Sequence, residues 1–343
     1  MSTTEQGYRT ALEAADRVLA LNARDPGALI AKGDALAGLG DSRAAASFYS
    51  SALRAAGDGK GLAPAVITQL RRAQAAVQAQ SQRFEDHLTH SLAGAGFNPS
   101  TSSDRFALSL DLMAGRKRLY QQEPHFYLFP CLPQIQFQPR ESLPWLAAVE
   151  AEASGIRAEL DALLAEPDLF RPYVEPRADR PNGDAFGMMS NADWSALFLW
   201  KDGEEQPDIA RRCPRTLAAL AEVPLCRVPG RTPSILFSKL KAGARIPPHH
   251  GLINTRLICH LPLIAPAGSR FRVGNDTREW REGQAWAFDD TIEHEAMNDS
   301  GQDRTILIFD VWKPEISEEE RALVSALFQA VDTYGAGGQA WGV

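Results

Sequence analysis

Pro247-Pro-His249-His250-Gly251-Leu-Ile-Asn254-Thr-Arg256-Leu-Ile258-Cys-His260 opens the region that decides the fold, and Arg304-Thr-Ile-Leu-Ile-Phe-Asp310-Val-Trp312 closes it. Apolar residues in this region come in short runs: Ile253 to Ile264, Phe271 to Val273, Ala285 to Phe288, His294 to Met297 and Arg304 to Trp312. Turn signals such as Ala265-Pro-Ala-Gly268 and Gly274-Asn-Asp276 separate them. Short strands with regular turns predict an antiparallel sandwich or barrel. His249 follows a Pro-Pro turn and His294 leaves Phe288-Asp-Asp290, so the two meet only if the sheet curls over on itself. A jelly roll does this.

Four of the seven histidines fall in the region: His249, His250, His260 and His294. Imidazoles gathered inside a barrel suit Fe, Zn, Cu or Ni. Arg304 adds a second demand. It enters an apolar strand, and a buried cation needs an anion; its planar fork matches a carboxylate through two parallel hydrogen bonds. A metal-chelating keto acid whose far carboxylate is held by Arg304 fits the layout. In the usual iron site of two His and one carboxylate, the carboxylate follows the first His closely. Gly251 stands at that place, so iron would be held by two histidines alone. Side chains alternate along a strand, which puts Asn254, Arg256, Ile258 and His260 on one face. His250 points away from its neighbour. His260 alone reads equally as a satisfied core histidine, and His87, His90 and His125 as surface or packing residues.

His249-x-Gly251, Asn254-x-Arg256, His260-Leu, Asn275-x-Thr-Arg278-x-Trp280-x-Glu282-Gly283, Phe288-Asp-Asp-x-x-Glu293-His294-Glu295 and Phe309-Asp-Val-Trp312-x-Pro314 resemble the aspartyl/asparaginyl β-hydroxylase family. A weaker match reaches back to Asp193-Trp-Ser195 and Leu199-Trp200. The resemblance implies an oxygenase dependent on Fe(II), 2-oxoglutarate and O2, built on a double-stranded β-helix. It implies His249 and His294 as iron ligands and Arg304, His260 and Ser238 as 2-oxoglutarate contacts. Arg256 and Asp289 fall on the substrate side. Asp289 or Asp290 would orient an iron ligand or Arg256; a plain turn made by Asp289-Asp290-Thr291 is the alternative. The sequence departs from the family's animal members in two places. Ile258 stands where they carry a second arginine, and no cysteine pair occurs near Ala210 and Leu217.

The expected fold is therefore α+β, a jelly-roll core preceded by helices. Residues 1–120 read as a helical, tetratricopeptide-like domain, 121–318 as the oxygenase domain and 319–343 as a C-terminal helix and tail. In the first, Gly33, Ala45 and Ala52 let two helices approach while Leu36 and Tyr49 fill the seam; a generic helical hairpin is the simpler alternative. Helices are further expected at Ala63 to Leu92, Ala107 to Gln121, Leu143 to Leu164 and Cys213 to Ala221. Strands are expected at Asp193 to Trp200 and Ser234 to Leu240. The Pro-rich segment 166–193 reads as a long loop over the pocket mouth.

Net charge of −7 over 343 residues argues against a phosphate-backbone-binding surface. Cys131, Cys213, Cys226 and Cys259 lack C-x-x-C spacing, so reduced thiols are expected rather than a zinc ribbon or redox pair. The first residues lack a signal peptide's features, no apolar run is long enough to span a bilayer, and a cytoplasmic protein is expected. The substrate is expected to be an Asp or Asn side chain in a peptide or protein, with the helices as a docking surface. The alternatives are a small molecule or acyl chain, a zinc hydrolase, or a helical interaction module with an inactive barrel. Zinc sites normally carry three protein ligands, and a zinc site would leave Arg304 unexplained.

Overall fold

The computed structural model describes residues 3–176 and 187–334. It divides into two compact units, Met1–Lys117 and Arg118–Val343.

The first unit is helical: α1 (Thr3–Leu21), α2 (Pro26–Gly38), α3 (Ser42–Ala56), α4 (Pro64–Gly94) and α5 (Asp104–Met113). Asp25 and Asp41 cap α2 and α3 by accepting the backbone N–H of Ala28 and Ala44, and Pro26 and Pro64 start their helices where no N–H is needed. Tyr49 packs flat on Gly33, at a place where any Cβ would collide with its ring. Leu29, Ile30, Ala45, Ala52, Leu70 and Ala73 complete that core. The helix expected from Ala107 to Gln121 starts earlier and is shorter, because Gly115, with φ of 70°, turns the chain out of it.

The second unit holds α6 (Leu146–Ala151), α7 (Ala153–Leu164), β1 (Arg171–Pro172), β2 (Trp194–Lys201), β3 (Glu204–Glu205), α8 (Pro207–Ala210) and α9 (Pro214–Ala219). Then come β4 (Ile235–Leu240), β5 (Arg245–His249), β6 (Arg256–Ile264), β7 (Ser269–Val273), β8 (Asp276–Glu279), β9 (Trp286–Phe288), β10 (His294–Asn298), β11 (Arg304–Trp312) and α10 (Glu318–Asp332). One sheet runs β1-β2-β4-β11-β6-β9, with β3 beside β2, and the other runs β5-β10-β7-β8. From β4 onward the chain keeps switching sheets: β4, β6, β9 and β11 in the larger, β5, β7, β8 and β10 in the smaller. All these pairs are antiparallel. This winding is that of a double-stranded β-helix.

The larger sheet has two unlike faces. On the outer face Leu257, Cys259, Leu261, Leu263, Leu307, Phe309 and Val311 pack under Leu146, Val149, Ile156, Leu160 and Leu163 of α6 and α7. Those helices were expected as one. Leu240, Ile306, Phe271, Val273, Trp280, Trp286, Phe288 and Ala296 pack together on the inner side, with contributions from both sheets. The C-terminal helix, set apart in the sequence reading, belongs to this unit. Val324 and Phe328 pack with Cys226, Val228, Ile253 and Trp312, and Asp332 accepts from the buried Arg231.

Four strands escaped the sequence reading: the two-residue β1 and β3, and the longer β5 and β8. Pro247-Pro248, taken as a turn, lies inside β5. That strand is the edge of the smaller sheet, where a missing N–H is tolerated. β8 follows the turn at Gly274 and is also an edge. Its Asp276-Thr-Arg-Glu279 is too polar to read as a strand.

Candidate active site

β5 and β10 are paired so that His249 and His294 stand directly opposite each other. Their rings lie 4.0 Å apart between centroids, tilted by 53°. His249 Nδ1 is 2.8 Å from the carbonyl oxygen of Pro247, and His294 Nδ1 is 3.1 Å from that of Ile292. A carbonyl only accepts, so each Nδ1 carries the proton and each Nε2 keeps its lone pair. Burial holds the pKa of both histidines below the ordinary value. For His294 the effect is strong and is reinforced by the neighbouring His249. The result is a pair of neutral, oriented imidazoles. Among the described residues no group of three or more His, Cys, Asp or Glu is assembled for a metal.

The place after His249 where a carboxylate would complete a triad is closed. A Cβ on Gly251 would land inside the carboxylate of Asp290, and the Gly251 N–H donates to the Asp290 carbonyl at 2.6 Å. Asp290 is fully enclosed, and burial pushes its carboxyl up to about 7 against the pull of Arg256.

A second cluster sits on the inner face of the larger sheet. Arg304 is 1% exposed. Its guanidinium lies 4.6 Å from the centre of the Trp280 ring and donates to the Ser238 carbonyl at 3.3 Å. No carboxylate partner for it occurs among the described residues, and burial alone pulls its pKa down to about 9. Three buried nitrogens here lack a partner: Arg304 Nε, His260 Nδ1 and Trp280 Nε1. The Ser238 hydroxyl accepts from Trp194 Nε1 at 3.1 Å, which leaves its own proton to give. Burial, with Arg304 nearby, keeps His260 neutral. A planar cation with an unused N–H, a hydroxyl donor, an indole N–H and an unpartnered imidazole nitrogen fit the far carboxylate of a dicarboxylic keto acid. Two neutral imidazoles presented side by side fit a divalent metal that keeps open coordination sites.

The structure brings His249 together with His294, and Ser238, His260 and Arg304 with one another. It treats the substrate-side residues differently. Asp289 is sealed in a separate hub. It accepts from Thr291 N and Oγ1 at 3.1 and 2.6 Å, from Gln122 Nε2 at 2.6 Å and from the buried Lys313 Nζ at 2.6 Å. With every acceptor engaged it anchors the chain and is not placed to meet a substrate. Of the two aspartates weighed for orienting Arg256, Asp290 is the one that lies towards it, while Asp289 makes the turn. Arg256 donates to Asp310 at 2.8 Å and approaches Asp290 at 3.5 Å. Burial works against its charge, but the two carboxylates outweigh it and raise its pKa.

Trp194, Trp280, Tyr173 and Asp310 were not assigned roles from the sequence. Trp194, Trp280 and Asp310 stood inside the quoted motifs, and an indole N–H is a donor that a polar pocket can use. Tyr173, stacked 4.0 Å from Trp194, carried no local signal. Of the segment 166–193 expected as a loop over the mouth, 177–186 lie outside the described residues, and the described part includes β1, which pairs with β2.

Residues 150–314 match the family model for aspartyl/asparaginyl β-hydroxylase. This segment belongs to that family. A relative in Mus musculus, "Aspartyl/asparaginyl beta-hydroxylase", is 35% identical over 144 residues, 41% of this chain and 19% of the relative. In Rhizobium tropici, "Ornithine lipid ester-linked acyl 2-hydroxylase" is 33% identical over 176 residues, 50% of this chain and 59% of the relative. The chain thus spans less than two thirds of the length of these relatives. Among solved structures, the cupin domain of Schizosaccharomyces pombe Cnp3 overlays 36% of this chain and 67% of its own, with a TM-score of 0.25 and 10% identity.

Proposed function

We propose that the chain is an Fe(II)- and 2-oxoglutarate-dependent hydroxylase. The observation that carries this is the pairing of two demands inside one β-helix: neutral imidazoles facing each other across β5 and β10, and a buried Arg304 without a carboxylate among the described residues. Membership of the family supports the same reading. His249 and His294 hold the metal through Nε2, each fixed by its Nδ1–H to a backbone carbonyl. Arg304 grips the far carboxylate of 2-oxoglutarate, with Ser238 and His260 donating beside it. Bound there, iron and 2-oxoglutarate with O2 supply the oxidation in which a substrate C–H becomes C–OH while 2-oxoglutarate becomes succinate and CO2. The protein keeps the site dry with Phe271, Phe288 and Trp280 packed round it.

Two substrate classes fit this chemistry: the β-carbon of Asp or Asn in a peptide, and an aliphatic chain. Ile258 in place of a second arginine favours the latter, and a relative named for acyl 2-hydroxylation lies in the same family. Within this proposal the helices of residues 1–120 form a tetratricopeptide-like unit that docks a protein partner, and the enzyme works in the cytoplasm.

The test is succinate formation from 2-oxoglutarate by iron-loaded protein, with 2-oxoglutarate binding measured alongside. Turnover in the wild type, abolished in His294→Ala, is the expected result. Failure of the wild type to bind 2-oxoglutarate with metal present refutes the proposal.

A further inference from the structure

Ser238 reaches the cosubstrate position with a proton whose direction another group must set. A hydroxyl turns about its Cβ–Oγ bond, and it gives its proton in one direction only when its lone pairs are engaged in another. Trp194 Nε1 supplies that engagement at 3.1 Å, between two buried side chains. The same indole lies 6.3 Å from the His249 ring, tilted by 52°. Trp194 thus stands beside both a metal-side and a cosubstrate-side residue, and whatever holds its plane bears on the site.

Tyr173 holds it. Pro172 pairs with Ser195 at the edge of the larger sheet, where a missing N–H is tolerated. The next N–H, that of Tyr173, donates to the Trp194 carbonyl at 2.9 Å. The two residues therefore form a cross-strand aromatic pair. Their ring centroids lie 4.0 Å apart, with the planes 15° from parallel. The chain after Tyr173 is tied down as well, since the Ser190 N–H donates to the Val174 carbonyl at 2.8 Å. Tyr173 is 37% exposed, so it is the outward member of a line of contacts that runs inward through Trp194 to Ser238. The stack uses its ring and not its hydroxyl.

We infer that Tyr173 is a positioning residue for the cosubstrate: by stacking on Trp194 it keeps the indole N–H on Ser238 Oγ, and so directs the Ser238 proton to the far carboxylate of 2-oxoglutarate. The inference rests on the oxygenase reading and deepens it. A stack that only closed the sheet edge would raise the melting temperature and leave cosubstrate affinity alone. A stack that orients Ser238 acts through one hydroxyl, and its effect vanishes when that hydroxyl is removed.

Calorimetry on the full chain loaded with Mn(II) tests this. The wild type is titrated with 2-oxoglutarate first; if it does not bind, the oxygenase reading falls and the inference with it. Given wild-type binding, Tyr173→Ala should weaken 2-oxoglutarate about tenfold, the scale of one hydrogen bond to a charged group, and leave Mn(II) affinity as it was. Tyr173→Phe, which keeps the stack, should bind as the wild type does. Trp194→Phe, which keeps two stacked rings and loses the N–H, should match Tyr173→Ala. In a Ser238→Ala background Tyr173→Ala should cost nothing further. Thermal melts show which variants are folded at the titration temperature, and if Tyr173→Ala is not, Tyr173→Phe and Trp194→Phe decide the matter. Undiminished binding in Tyr173→Ala or Trp194→Phe, a tenfold loss in Tyr173→Phe, or an undiminished further loss in the Ser238→Ala background overturns the inference and leaves the oxygenase reading standing.

Discussion

β6 and β11 present the same backbone to two environments. Their outer side chains, Leu257, Cys259, Leu261, Leu307, Phe309 and Val311, are sealed beneath α6 and α7 and complete in themselves. Their inner side chains, Arg256, His260, Arg304 and Asp310, are as deeply buried but polar. Several of their atoms lack a partner. One face supplies the stability, and the other spends part of it on holding unpaired polar groups where ligands will meet them.

The first way to break this comparison is Phe309→Ala, which opens a cavity on the outer face. It should cost about 3–5 kcal/mol in a urea melt while 2-oxoglutarate binding survives in whatever fraction remains folded. Arg304→Met is the opposite case. Removing an unpaired buried cation should stabilise the cosubstrate-free protein by about 1–4 kcal/mol and abolish the rise in Tm that 2-oxoglutarate gives the wild type. A loss of stability in Arg304→Met would place that residue with the structural face.

Gly251→Ala drives a Cβ into the Asp290 carboxylate and should cost about 1–3 kcal/mol. In the Asp290→Gly background the same change should cost much less, because the colliding group is gone.

The smallest effect concerns pH. His249, His260 and His294 are all held below the ordinary histidine value, chiefly by burial. The unfolded chain therefore takes up protons below about pH 6.5 that the folded chain refuses, and stability falls as the pH drops through that value. Asp290, pushed up to about 7, acts the other way. It keeps a proton in the folded state that the unfolded chain has already released, so its contribution declines as the pH rises from about 4 towards 7. Asp290→Asn should remove this opposing term and steepen the acid limb of a Tm-against-pH curve.

Much of the unit that holds the site was legible in the sequence. The 2-residue alternation of Arg256, Ile258 and His260 put them on one face, and the long apolar run after Arg304 marked β11. His249 and His294 were brought together by the demand that the sheet curl over on itself, although the Pro-Pro turn invoked before His249 is part of β5. What escaped was decided by tertiary context. β5 is a strand despite Pro247 and Pro248 because its free edge asks nothing of their nitrogens. Asp289 and Asp290 are adjacent and chemically identical, and only the turn at Thr291 sends one to Lys313 and the other to Arg256. The compensation of Arg256 by Asp310 follows from the pairing of β6 with β11, which no local pattern announces.

The measurement closest to the central claim is a titration of 2-oxoglutarate into metal-loaded protein, wild type beside Arg304→Met and His294→Ala. The account predicts saturable binding in the wild type, a loss of about a hundredfold or more with Arg304→Met and loss of the metal-dependent part with His294→Ala. Undiminished binding in Arg304→Met would contradict it.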